Sequence, residues 1–334
     1  SLVGSEMCIR DRSMTFHKDV LKINPMAVAE ELVASLRRDV RQTLRRSGAV
    51  VGISGGLDSS VVLALCARAL GPNRVLGVMM PEKESSDDSL VFARRIADQL
   101  GIESVVEDMT DSLVGLGCYT RRDEAIQRVF SEYDSSYQAK ISLPGNVLDS
   151  EALNVFYLTI ITPEGEEKSE RLNVRDYLQI VAASNFKQRS RMAMLYYHAE
   201  LRNYAVAGTP NKNEHDQGFF VKWGDGGYDV APIRHLYKTQ VFQLAEYLEV
   251  PAEIRTATPT TDTYSAPSSQ EEFFFRMPFE VMDLLWYALE HDVPPSEVAS
   301  VMNLTQDQVQ RAFADLARKQ RTTQYLRTHP IEYG

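Results

Sequence analysis

The spacing of apolar residues changes period along this chain, and each change predicts an element. From Met26 to Arg46 they recur at four-residue steps (Val28, Leu32, Leu36, Val40, Leu44), the signature of one buried helix face. Asn24-Pro25 supplies a capping side chain and a first-turn proline, and Gly48 ends the pattern. Ala49 to Ser54 is then continuously apolar, which predicts a strand covered on both faces. A helix follows at Ser59 to Leu70, stopped by Gly71-Pro72, then a strand at Arg74 to Pro81. Ser85 or Ser86 caps a third helix that ends at Leu100-Gly101, and Glu103 to Met109 reads as a third strand. Strands alternating with helices predict an α/β fold, a doubly wound parallel sheet with crossover helices on both faces.

That rhythm stops between about Thr110 and Asn173, where two β-like stretches, the second folded at Pro163-Glu164-Gly165, predict an insertion containing a β-hairpin. It resumes with a long helix at Val174 to Asn203, a fourth strand at Tyr204 to Thr209, a fifth at Tyr228 to Ile233, and a helix at His235 to Glu249. Thr256 to Gln270, rich in Thr, Ser and Pro, reads as a mobile loop; helices at Pro278 to His291, Pro295 to Met302 and Thr305 to Arg327 follow. The expected organisation is one five-stranded Rossmann-like domain from residue 14 to 334, with an insertion at about 110–173 and a helical extension at about 278–330. Ser1 to Ser13 carries no period and reads as a non-native leader.

Charge narrows the partners. The formal net charge of -10 argues against general nucleic-acid binding, although it leaves room for a local basic pocket. Pro294 to Thr323 has helix-turn-helix spacing, so a DNA-binding alternative exists; a readout helix needs a clustered basic face, and the competing reading is a packed helical extension. Three cysteines (Cys8, Cys66, Cys118) without a CxxC pair fit a reducing cytoplasm, and no apolar stretch reaches the roughly 18 residues of a membrane span.

The densest chemistry lies in "SGGLDSS", Ser54 to Ser60, at the end of the first strand. Ser-Gly-Gly permits a sharp turn whose N–H groups converge on an anion, and the following helix adds its positive end. Ser54, Ser59 and Ser60 can donate to phosphate oxygens, whereas Asp58 suits a magnesium ion carried by them. The alternative is a tight turn with Asp58 and Ser59 as caps. A second stretch, Ala207 to Gln240, places Thr209 just beyond a strand, where parallel sheets bind ligands. It also holds Glu214, a hard oxygen ligand, a turn at Gly224 to Gly227 among Lys222, Asp225 and Asp229, and Lys238, a mobile cation within reach of phosphate or a plain surface charge.

The first loop resembles the SGGxDS pyrophosphate loop of the ATP pyrophosphatases. Together with "GTPNKNE", "GFFVKWGDGGYDVAPI", "LYKTQV" and "SRMAMLYYHAE", the chain resembles the ammonia-dependent NAD synthetases from about Met26 to the C-terminal helices, apart from the insertion. The resemblance implies that Ser54, Gly55, Gly56, Asp58, Ser59, Ser60, Thr209, Lys238 and Thr260 contact ATP, and that Asp58 and Glu214 hold Mg2+. It implies that Arg189, Lys222, Asp225 and Asp229 contact deamido-NAD, with Asp58, Lys238 and Asp225 as the catalytic set. The implied reaction adenylates the nicotinate carboxylate, releases pyrophosphate, and lets ammonia displace AMP to give NAD; no protein nucleophile is needed. The resemblance also implies a homodimer. With no glutaminase motif around any cysteine, the expected nitrogen source is free ammonia or a separate glutaminase subunit. After Pro259 the text departs from the family pattern, most visibly in the aromatic run Phe273 to Phe275, so an amide ligase acting on another carboxylate is the alternative.

Overall fold

The computed structural model describes residues 15–143, 145–149, 155–258, 265–266, 269–270 and 274–333. Thr260 and the leader therefore lie outside the described residues, as does most of the Thr256 to Gln270 loop. Helix α1 (Pro25–Arg38) starts where Asn24 accepts a hydrogen bond from Ala27 N and buries Ala29, Leu32 and Leu36; a short π turn extends it to Thr43. Then come β1 (Ala49–Gly52), α2 (Leu57–Leu70), β2 (Val75–Met79), α3 (Asp87–Leu100, capped by Ser86) and β3 (Glu103–Val106). Two helices, α4 (Thr110–Gly115) and α5 (Cys118–Gln127), lead into β4 (Gln138–Ser142), β5 (Tyr157–Ile161) and β6 (Glu167–Arg171). The long α6 (Val174–Arg202) delivers β7 (Ala205–Ala207), followed by α7 (Lys212–Gln217), α8 (Lys238–Tyr247) and α9 (Ala252–Thr256). Helices α10 (Phe279–Glu290), α11 (Pro295–Met302), α12 (Gln306–Thr322) and α13 (Gln324–Arg327) close the described chain.

Among the described residues β1, β2, β3 and β7 form a parallel sheet in the order β3-β2-β1-β7. Alternation along β1 divides the core as a pleated strand must. Ala49, Val51 and Ile53 join the cluster formed with α1, α2 and α8, while Val50 joins the cluster beneath α6. The fifth strand expected at Tyr228 to Ile233 is reduced to one parallel bridge, Ala207 to Val230. The Asp229 carboxylate takes the Val206 N–H at 2.8 Å, and Pro232 has no N–H to extend the ladder.

The insertion forms a three-stranded antiparallel sheet, β4-β5-β6, turning at Gly165 as expected. Helices α4 and α5 precede it where no helix was expected, because Gly115 and Gly117 interrupt the apolar period. Helix α12 packs Val309, Ala312 and Leu316 into a core with Trp286 and Phe275. Arg311 donates to Leu148 O, while Arg318 and Lys319 pair with Asp315. These cations are spent inside the protein, which favours the packed extension over a groove-reading helix.

The chain passes from β1 to β2 on one side and reaches β7 on the other. The carboxyl ends of β1 and β7 therefore flank a topological switch point, where open parallel sheets leave a crevice.

Candidate active site

That crevice is a cavity of about 760 Å³. At its floor the chain leaves β1 through Ser54-Gly55-Gly56 and enters α2 with Gly56 as the cap. Gly55 has φ +79°, and a Cβ there would stand 2.4 Å from Ser89 O, so only glycine fits. The turn is held from within. Ser59 Oγ donates to Gly56 O at 3.0 Å, Ser60 Oγ donates to the same carbonyl at 2.8 Å, and Gly56 N donates to Ser54 Oγ at 3.3 Å. Ser54, Gly55, Gly56, Asp58 and Ser59 line the cavity. Ser60, expected beside them, is fully buried beneath the turn and supports it instead.

Asp58 occupies the first turn of α2 and joins two later segments. Its Oδ2 accepts from Lys238 Nζ at the start of α8, and its Oδ1 accepts from Asn211 Nδ2 at 3.4 Å. Lys238 is only 1% exposed, so it is a fixed buried cation rather than a mobile one. Asn211 caps α7 reciprocally: its side chain accepts from Glu214 N, and Glu214 Oε2 accepts from Asn211 N at 3.2 Å. This capping box aims Glu214 into the cavity, where Gln270 Nε2 donates to its other oxygen at 3.3 Å. Burial, and next the charge of Asp58, push the Glu214 carboxyl well above the usual range, while Lys238 only partly offsets them. Two carboxylates share one lysine here.

Thr209 also lines the cavity, just beyond β7. Asp225 does too: its carboxylate accepts from Val221 N at 2.7 Å, and crowding by the surrounding wall raises it to about 6 although the residue opens to the cavity. The Gly224 to Gly227 turn approaches α6 closely, since a Cβ on Gly227 would meet Met192 at 2.8 Å.

Three expected acceptor contacts are directed elsewhere. Lys222 Nζ donates to Tyr325 O at 3.1 Å and Thr328 O at 2.7 Å, so it ties this loop to the C-terminal helix. Asp229 accepts from Tyr196 Oη at 3.0 Å and from Val206 N, anchoring the edge of β7. Arg189 is exposed and donates to Lys222 O at 3.3 Å. Its near neighbour Arg191 faces the cavity, with Nε on Met80 O at 3.1 Å. Helical spacing could have identified it: Gln188, Arg191, Met192 and Leu195 all line the cavity at i, i+3, i+4 and i+7. Lys187 lines the wall as well, 2% exposed and paired with Glu82 and Glu84. No sequence motif marked it.

Comparison with known proteins gives the family and the fold. A family model described as NAD synthase matches residues 28–128 and 151–330. The NH(3)-dependent NAD(+) synthetase of Mesorhizobium japonicum is 51% identical over 312 residues, covering 93% of this chain and 98% of that protein. The Thermotoga maritima protein of the same name is 35% identical, covering 82% of this chain and 93% of its own length. Among solved structures, the NH3-dependent NAD synthetase of Campylobacter jejuni shares the fold at TM-score 0.58 with 21% identity, covering 93% of this chain and all of that one. The NMN synthetase of Francisella tularensis also shares it, at TM-score 0.58 with 19% identity and coverage of 93% and 99%.

Proposed function

The chain belongs to the NAD synthase family, and from that premise we infer that it is an ATP-dependent amide ligase. It adenylates the nicotinate carboxylate of deamido-NAD and transfers the acyl group to ammonia, yielding NAD, AMP and pyrophosphate. The carrying observation is that the Ser54–Asp58 turn, Lys238 and Glu214 meet in one crevice at the carboxyl ends of adjacent parallel strands.

The turn at Ser54, Gly55, Gly56 and Ser59 would receive the ATP phosphates through backbone N–H groups and the α2 dipole. The carboxylate oxygen attacks the α-phosphorus, the α–β bridging P–O bond breaks, and Lys238 would offset charge on the departing pyrophosphate. The ammonia nitrogen then attacks the acyl carbon, AMP leaves, and Asp225, its carboxyl raised to about 6, would accept the proton released. Asp58 and Glu214 would hold Mg2+. The donor set fits, because two carboxylates face one cavity and Glu214 bears the electrostatic strain that a divalent cation relieves. When bound, magnesium would neutralise the phosphates.

Thr209 would contact ATP, as would Thr260. Arg191 and Asp225 would face the acceptor; Arg189, Lys222 and Asp229 would reach it only by releasing their protein contacts. Among the described residues, burial pushes the Cys66 thiol up to about 12 and also raises Cys118, which supports ammonia over either of these cysteines serving a glutaminase as the nitrogen source. A homodimer is part of this reading, supported by exposed Val174, Leu178, Tyr197 and Leu201 on α6; sedimentation checks it.

The test is direct: ATP, magnesium, ammonium and deamido-NAD are incubated with the protein, and NAD, AMP and pyrophosphate are measured. Equal yields are expected. Pyrophosphate release independent of deamido-NAD, with no NAD formed, would overturn the acceptor while leaving adenylation. Nicotinate mononucleotide as a competing acceptor then tests the alternative carboxylate.

A further inference from the structure

Helices α7 and α8 carry Glu214 and Lys238, and one buried carboxylate outside both helices grips them together. Asp283 on α10 is fully buried. Its Oδ1 accepts from Asn213 Nδ2, next to Glu214, and its Oδ2 accepts from Thr239 N at 2.8 Å, next to Lys238. The Thr239 N–H belongs to the first turn of α8, whose amides have no partner within the helix. Helix α7 spans six residues, too few to fix its own orientation. Burying a carboxylate is costly unless its oxygens are satisfied, and here each is taken by a different element of the cavity wall. Lys238 lies between two acidic groups: it is bonded to Asp58, and it acts on Asp283, whose carboxyl burial raises to about 6 against the pull of Asn213, Thr239 and, least, Lys238.

We propose that Asp283 is a positioning residue that sets the placement of Lys238 relative to Glu214 by clamping the starts of α8 and α7. The C-terminal helices thereby belong to the functional assembly of the active site, not only to its packing. The inference rests on the reading of Lys238 and Glu214 given above.

Asparagine can replace this clamp without its charge. Its carbonyl still accepts from Thr239 N, and its amide can donate to Asn213 Oδ1 once the Asn213 side-chain amide turns over, an oxygen that is buried without a hydrogen-bond partner among the described residues. In the NAD-forming assay with the full-length protein, Asp283→Ala should lower kcat about tenfold while KM for deamido-NAD stays within twofold. Asp283→Asn should restore kcat to within about threefold of the parent. An alanine variant with parental kcat overturns the proposal, as do alanine and asparagine variants equally impaired with the same lowered Tm. If the alanine variant does not fold, Asn213→Leu cuts only the α7 half of the clamp. A kcat loss of about threefold or more at unchanged KM then supports the proposal, and parental kcat overturns it. A parent that forms no NAD refutes the functional reading and takes this proposal with it; an active parent matched by its variants refutes the clamp alone.

Discussion

Two groups of buried charge meet the same cavity and end in opposite electrostatic states. In the wall, Lys187 Nζ donates to Glu82 at 3.0 Å and to Glu84 at 2.8 Å, Arg122 donates to both Glu84 oxygens at 2.7 Å, and Tyr119 Oη donates to Glu82 at 2.6 Å. Burial alone would raise the Glu84 carboxyl, but Lys187 and Arg122 hold it below its ordinary value. At the floor, Asp58 and Glu214 share Lys238, and burial together with the second carboxylate drives Glu214 upward. The residue types are alike; what differs is contact, since both wall cations bond Glu84 directly whereas Lys238 bonds Asp58 and reaches Glu214 only through space. The cluster in which Lys187 and Arg122 bond Glu82, Glu84 and Asp123 directly is structural, linking the β2–α3 loop to α5 and α6. The floor, where the described partners of Glu214 are the uncharged Asn211 N–H and Gln270 amide, retains an attraction for a further cation, and it faces the proposed phosphate site.

The comparison can be broken at either end. The largest expected effect is on catalysis: Asp58→Ala should reduce kcat/KM by about 10²- to 10³-fold with the fold retained, measured as AMP and pyrophosphate release alongside circular dichroism. Full activity would remove Asp58 from the site.

Glu84→Gln should act on stability, costing about 3 kcal/mol because cations in the wall lose their compensation, while kcat per folded molecule stays within twofold. The lowered folded-state value of Glu84 means its contribution is present above the ordinary glutamate range and is lost as pH falls through the lowered value. The Tm gap between parent and variant should therefore close in acid; a gap independent of pH would show that packing, not charge, was lost.

Glu214→Gln should give the smallest effect and the opposite sign. A raised carboxyl penalises the native state progressively as pH climbs from the ordinary glutamate range through the raised value. In metal-free buffer the variant should thus unfold about 2 °C higher than the parent above that range, and no higher in acid. A destabilised variant at high pH would mean that Glu214 is already compensated.

The cavity-lining turn at Ser54 to Asp58 was legible because its parts are consecutive: an apolar strand, Ser-Gly-Gly and an acidic helix start impose one geometry. Thr209 and Glu214 were legible for the same reason, lying just past β7. The acceptor side was not. Arg189 and Arg191 are two residues apart and hence on different faces of α6, and only the packing of that helix selects Arg191. Lys222 and Asp229 sit in a glycine-rich stretch whose local pattern says nothing about the C-terminal carbonyls or the β7 edge that engage them.

What the sequence by itself determined was the alternating α/β order, the strand-to-helix turn and the polar groups that the turn presents to the cavity, since these follow from spacing within a few residues. Tertiary structure alone decided which charges are compensated. Lys187 lies more than 100 positions from Glu82 and Glu84, and Lys238 lies 180 from Asp58. Asp283 reaches both α7 and α8 only because the fold brings α10 against their first turns. Burial strengthens these distant pairings by excluding water, and no periodicity along the chain encodes which partner arrives.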